Sequence, residues 1–282
     1  MIKVSPKLSP VGAVQPTKYL DRLSNGSDKY GGWFDWTILA QNLLSQMPEN
    51  TALVEVGVFQ GRSAVYMHEW LRENRPEMRF EHILIDLFTP VPRVDGAGKL
   101  IYKADGSPLY DFENNELFFI LNKLDPNRTS KLERYLRGAL IVEDGKPVGF
   151  QSKISFREGP SHRELRGFDP NEIGLLYIDG DHSALGCYRD IRGGVPNIKP
   201  GGACVIHDYH TASCPEVTSA IDLFAADNPD LEIFAYKSEI WNKPENNNDT
   251  VYFYVPEGYK FVLRSEKEFL KDVAKFPAYG AK

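Results

Sequence analysis

The chain has 282 residues, enough to bury one sizeable core and to leave room for one insert. Acidic residues number 39 against 33 lysines and arginines, a net charge of −6, which argues against a broad nucleic-acid or anionic-membrane surface. The first residues hold no apolar signal core and no run approaches a membrane span, and the odd set Cys187, Cys204 and Cys214, without a C-x-x-C spacing, reads as reduced thiols of a cytoplasmic protein.

Residues 1–28 carry Pro6, Pro10 and Pro16 and little periodicity, which predicts an extended N-terminal arm or tail. Tyr30-Gly31-Gly32-Trp33-Phe34-Asp35-Trp36 follows, an aromatic cluster on a glycine pair. It reads either as a hydrophobic plug or as a lid over a ligand. A helix is predicted from Trp36 to Met47, with Ile38, Leu39, Leu43 and Leu44 on one face.

Ala52-Leu53-Val54-Glu55-Val56 is an apolar, β-branched run and reads as a buried parallel strand. Glu55 interrupts it, and a buried charge needs a partner. Gly57 and Gly61 bracket a tight turn, and the pattern after Ser63 is helical. Strand, glycine turn and helix present free N–H groups and a backbone that a ligand can approach. The spacing fits the dinucleotide fingerprint G-x-G-x-x-G poorly. Glu55-x-Gly57-x-x-x-Gly61-x-Ser63 instead resembles motif I of the class I methyltransferases, in which the turn underlies the amino-acid part of S-adenosylmethionine. A βα turn without a ligand is the plainer alternative.

The next strand, His82 to Leu87, ends at Asp86, where an acid in a nucleoside-binding sheet takes the ribose hydroxyls. A turn or N-cap aspartate is the other reading. Residues 88–152 exceed what one crossover helix needs and read as an insert shaping an acceptor pocket. A hairpin is expected at 99–110 around Asp105-Gly106, and helices at 114–123 and 130–137. Lys153–Arg157 is the third strand, followed by Gly159-Pro160-Ser161-His162. Leu175–Asp179 is the fourth, followed by Gly180-Asp181-His182-Ser183. A helix from Ala184 stops at Gly193-Gly194. Ala203–Ile206 is the fifth strand, ending in His207-Asp208-Tyr209-His210. A helix from Pro215 to Ala226 and strands at 231–236 and 250–255 complete the chain. The alternation predicts an α/β, doubly wound (Rossmann-like) sheet with helices on both faces. We read residues 29–282 as a single domain carrying the insert.

In such a sheet, ligands bind beyond the carboxyl ends of the strands. Those ends here read Glu55, Asp86, Ser161-His162, Asp179-Gly180-Asp181-His182 and His207-Asp208-Tyr209-His210. Four of the six histidines lie there, and His68 and His82 are left as structural.

Gly-Trp-Phe, Val-Glu-Val-Gly-(x)3-Gly-Arg-Ser, Tyr-Ile-Asp-Gly-Asp-His-Ser, Lys-Pro-Gly-Gly and His-Asp-Tyr together resemble the class I S-adenosylmethionine-dependent methyltransferases. Within these the chain is similar to the macrocin-type sugar O-methyltransferase and cephalosporin hydroxylase-like group. The resemblance implies a seven-stranded sheet with its last strand antiparallel. It implies Glu55, Gly57, Gly61 and Ser63 around the methionine end of the cofactor, Asp86 on the ribose, and Ser161 near the adenine. Asp179 would serve cofactor, metal and catalysis. In metal-dependent members an acid after the fourth strand and two adjacent acids after the fifth bind magnesium. Here those positions are Asp179, His207 and Asp208, and the histidine suits a softer divalent ion, or no metal.

The reading is therefore an O-methyltransferase acting on a hydroxyl of a small molecule such as a sugar, with S-adenosylmethionine and room for magnesium, manganese or a similar ion. His182, three residues past Asp179, resembles the base position of metal-dependent O-methyltransferases; the alternative is that Asp181 and His182 merely cap the next helix. A non-catalytic nucleoside-binding module and a hydroxylase-like enzyme on the same fold stay open. Neither the acceptor nor the oligomeric state is legible, and no nucleic-acid or membrane partner is expected.

Overall fold

Strand β2 (Thr51–Val56) runs through the middle of the molecule, and all six of its residues are buried. It pairs in parallel with β3 (Phe80–Asp86) on one side and β7 (Ile173–Ile178) on the other. Parallel β6 (Ser152–Glu158) lies beyond β3, and parallel β8 (Ile198–Tyr209) beyond β7. Strand β10 (Asp249–Tyr254) is antiparallel to both β8 and β9 (Phe234–Lys237), and β1 (Lys3–Val4) closes that edge in parallel with β9. The order is β1-β9-β10-β8-β7-β2-β3-β6. The seven expected strands and the antiparallel last one are present, and the eighth comes from the N-terminal arm.

This is a computed structural model. It describes residues 2–12, 34–58, 62–87, 102, 104, 141–143, 146–149, 152–237 and 249–276. Gly61, Trp33, most of the expected hairpin at 99–110 and both helices expected in the insert lie outside the described residues. Within the insert a small separate hairpin is described, β4 (Ile141–Glu143) with β5 (Lys146–Gly149).

Central strands are apolar at nearly every position because helices cover both faces. Side chains alternate along a strand, so Leu53, Leu175, Tyr177 and Val205 meet Leu39 and Leu43 of α1 (Thr37–Gln46) and Met67 and Trp70 of α2 (Arg62–Asn74). Val54, Leu176, Ile178 and Ile206 face the other way. They meet Tyr188 and Ile191 of α4 (Ala184–Gly194), Ile221 and Phe224 of α5 (Pro215–Asp227), and Phe269 of α6 (Glu266–Val273). The short α3 (Ser161–Glu164) follows β6.

Two local expectations change. Helix α4 does not stop at Gly193-Gly194 but includes both. A Cβ on Gly194 would lie 2.4 Å from Leu176, so the glycines let the helix lie close to the sheet rather than end it. The arm is anchored over its first residues: Val11 N donates to Gln41 Oε1 at 2.9 Å, and Leu8 and Val11 pack on the α1–α2 core.

Candidate active site

The turn after β2 is built from the backbone outward. Gly57 sits at φ +81°, and a Cβ there would lie 1.8 Å from the Asp179 carbonyl oxygen. Only glycine permits that approach. Asp179 N donates to Val56 O at 2.8 Å, so the ends of β2 and β7 are locked together. Asp86, at the end of β3, accepts from Val58 N at 2.8 Å through Oδ2 and pins the turn from the other side.

Glu55 lies on the α2 face of β2 and is 0% exposed, with one oxygen accepting from the Ser63 hydroxyl. Its second oxygen, Oε2, has no hydrogen-bond partner, and neither has His82 Nε2, 3.8 Å away. Burial raises the Glu55 pKa well above its ordinary value, the Ser63 bond opposes this, and the charges of Asp179 and Asp86 add to it. Burial thus favours the neutral form of Glu55, a strut beneath the turn with Ser63 engaged on it. His68 and His82 stack at 5.7 Å behind it; burial lowers both, His68 to about 4.

The cluster beyond β7 and β8 is denser. Asp179 Oδ2 accepts from the Tyr177 hydroxyl at 2.7 Å. Its Oδ1 lies 3.6 Å from His207 Nδ1 and 3.4 Å from His182 Nε2. Asp208 lies between the two imidazoles, with Oδ1 3.3 Å from His207 Nδ1 and Oδ2 3.2 Å from His182 Nε2. Asp208 and His210 both adopt φ +60°, a left-handed backbone uncommon outside glycine. Two departures separated by a single residue at one strand end mark a place where neighbouring structure holds the backbone.

Burial pushes the Asp179 carboxyl up, but the His207 charge and hydrogen bonds from His182 and His207 outweigh it and hold the carboxyl well below the usual range. Burial would lower His207, yet Asp179, Asp208 and Asp35 together raise it well above its ordinary value. His182, with its side chain 46% exposed, is raised to about 11, burial being overcome by Asp179, Cys214 and Asp208. Both shifts favour the charged form of the rings, which face the Asp179, Asp208 and Asp35 carboxylates.

Asp179, His207 and Asp208 present donor atoms within 4.8 Å of one another, and a two-carboxylate, one-imidazole set fits a divalent cation. The residues on either side of His182 serve the helix start. Ser183 caps α4, its hydroxyl accepting from Gly186 N at 3.0 Å, and Asp181 accepts from Ser183 N at 2.9 Å, while the His182 ring turns to the carboxylates.

Three partners were missed in the sequence. Asp35, 1% exposed, lies 3.0 Å from His207 Nε2 and orients that ring from behind. Tyr177 hides in an apolar strand. Cys214 Sγ lies 3.2 Å from His182 Nδ1. The signal for Asp35 was its place in the aromatic cluster, where Phe34 is a buried plug against Trp36 and Tyr66 at 4.9 and 5.0 Å. Ser161 stands apart from the cluster, its hydroxyl donating to Asp190 Oδ1 at 2.5 Å. His210 lies 3.2 Å from Asp249.

A doubly wound sheet with one antiparallel strand near its edge and a glycine turn on the central strand is the architecture of a class I methyltransferase, the class whose methyl donor is S-adenosylmethionine. Residues 54–209 match the family described as "Methyltransferase domain", and the chain belongs to that family. No curated protein matches it. Among solved structures it is similar to the O-methyltransferase NovP, with 18% identity, 79% of this chain and 80% of that one covered, and a TM-score of 0.50. It is also similar to CalS11, a calicheamicin methyltransferase, with 13% identity, 88% and 95% coverage and a TM-score of 0.47. The O-methyltransferase TomG from Streptomyces achromogenes gives 11% identity, 87% and 92% coverage and a TM-score of 0.45. At 18% identity the likeness to NovP is one of fold. Among the described residues no helix is long and apolar enough to cross a membrane.

Proposed function

We propose that this protein transfers a methyl group from S-adenosylmethionine to a hydroxyl of a small molecule such as a sugar. The observation that carries the reading is the placement of Asp179. Its backbone meets the glycine turn at Gly57, and its side chain meets His182, His207 and Asp208. One residue thereby joins the turn expected under the donor to a dense cluster of imidazoles and carboxylates at that end. Gly57, Gly61 and Asp86 are assigned to the donor, with Glu55 and Ser63 shaping the turn from beneath and Ser161 on the adenine side.

In the reaction an acceptor oxygen attacks the methyl carbon, the carbon–sulfur bond breaks, and its electron pair stays on sulfur. The hydroxyl proton must leave as the new bond forms. His182 is assigned that proton, and general-base help is worth about 10²–10⁴-fold. An imidazolium has no lone pair to offer, so His182 must first shed the proton that Asp179 and Asp208 hold on it. Asp179, His207 and Asp208 are the residues that would hold a divalent cation, and such a cation would take over the carboxylates' charge and polarise the acceptor oxygen. Tyr177 and Asp35 position Asp179 and His207. The test is incubation with S-adenosylmethionine and a panel of sugars, nucleosides and phenols. A gain of one methyl mass on a hydroxyl supports the reading, and heat of binding with NAD but none with S-adenosylmethionine or its demethylated product refutes it.

A further inference from the structure

Cys214 differs from the other two cysteines. Cys187 and Cys204 are buried in the core, whereas Cys214 is partly exposed as the N-cap of α5. Its sulfur faces His182 Nδ1 at 3.2 Å, and the other nitrogen of that ring faces Asp208 Oδ2 at 3.2 Å. Sulfur, imidazole and carboxylate donors of Cys214, His182 and Asp208 all fall within 4.8 Å of one another. Asp208 is common to this group and to Asp179–His207–Asp208, offering one oxygen to each.

We propose that His182, Asp208 and Cys214 form a second cation seat, sharing Asp208 with the first, that takes a thiophilic divalent ion such as zinc or cobalt. The inference rests on the functional reading for its place beside the reacting centre, but not for cation binding itself. The donor set decides the class of ion. Magnesium asks for oxygen ligands in near-octahedral array, whereas thiolate and imidazole are ligands of zinc. Bond lengths of about 2.0–2.3 Å in a tetrahedron put neighbouring donors about 3.3–3.8 Å apart. The His182 Nε2–Asp208 Oδ2 separation of 3.2 Å is already close to that, and the Cys214 sulfur, which now lies nearest Nδ1, has to close on the same ring nitrogen as Asp208. Three protein ligands leave a fourth position for water or a substrate oxygen. On binding, the thiol and the imidazolium each release a proton to solvent, so affinity rises with pH. A cation in this seat occupies one of the two ring nitrogens of His182, so seat and proton acceptance compete for one side chain.

The experiment is cobalt(II) titration of the full chain, read by absorption. The wild type should show a near-ultraviolet thiolate-to-cobalt charge-transfer band. In Cys214→Ser that band should vanish while visible d–d bands from the first seat remain; in Asp208→Asn both should weaken. Zinc should displace the band and a large excess of magnesium should not. In parallel, zinc should slow alkylation of Cys214 by iodoacetamide about tenfold or more in the wild type and not in Asp208→Asn. A wild type that binds cobalt without the band, binds none, or keeps the band in Cys214→Ser overturns the proposal. Calorimetry with S-adenosylmethionine on the same samples reports separately on the functional reading.

Discussion

Gly57 and Asp179 meet backbone to backbone: a Cβ on Gly57 would lie 1.8 Å from the Asp179 carbonyl oxygen, with φ at +81°. Both the contact and the dihedral forbid a side chain. Gly57→Ala should therefore destabilise the protein by about 3 kcal/mol or more, combining backbone strain with displacement of β7. The midpoint of urea unfolding checks this. A midpoint equal to wild type would mean that the two strand ends are not locked.

Asp35 buttresses His207 from the face opposite the carboxylates. Partners that orient a ligating histidine usually matter about 10–100-fold in metal affinity. Asp35→Asn should weaken binding of a divalent cation by that factor, measured by titration calorimetry with manganese on the folded variant. Undiminished affinity would reduce Asp35 to a packing role.

His182→Ala and His207→Ala separate proton transfer from cation holding. His182→Ala should lose about 10²–10⁴-fold in turnover while still binding S-adenosylmethionine. His207→Ala should lose activity that added divalent metal partly restores. Both need an identified acceptor, and near-normal turnover in His182→Ala removes that residue from the mechanism.

Asp190 gives a pH signature away from the cluster. Burial raises its carboxyl to about 7 from an ordinary 3.8, against the lowering effect of the Ser161 bond. Between those values the folded protein holds a proton that the unfolded chain has lost. Its contribution to stability is therefore full below about pH 4 and disappears as pH rises through 7. Over an interval of about 3 pH units that is on the order of 4 kcal/mol. Asp190→Asn should gain stability relative to wild type as pH goes from 4 to 7, by denaturant melts at each pH. A pH-independent difference would place the titration elsewhere.

The sheet and the converging strand ends were legible because parallel strands with short turns send every carboxyl end to one edge. Asp179, His182, His207 and Asp208 meet there as their positions implied. Asp35 was not legible, since 172 residues separate it from His207 and only the tertiary fold of α1 over the sheet joins them. Glu55 carried an ambiguous signal. A strand-end acid suggests a ligand, but alternation turns it toward α2, where Ser63 waits. Helix α6 was overlooked although its start is written in the chain: Ser265 accepts from Glu268 N, and Glu268 accepts in return from Ser265 N at 2.9 Å, the reciprocal cap of an S-x-x-E sequence.

The pairing of β1 with β9 has a consequence for how the chain is made. Lys3 N donates to Ile233 O at 2.8 Å and Ser5 N to Ala235 O at 2.9 Å, so β1 has partners that are translated long after it. At about 5–20 residues per second the arm waits on the order of ten seconds or more for its edge to exist. The parallel centre of the sheet can assemble in that time. Among the described strands β1 is then made first and laid down last, and until it docks the free edge of β9 stays open to other chains.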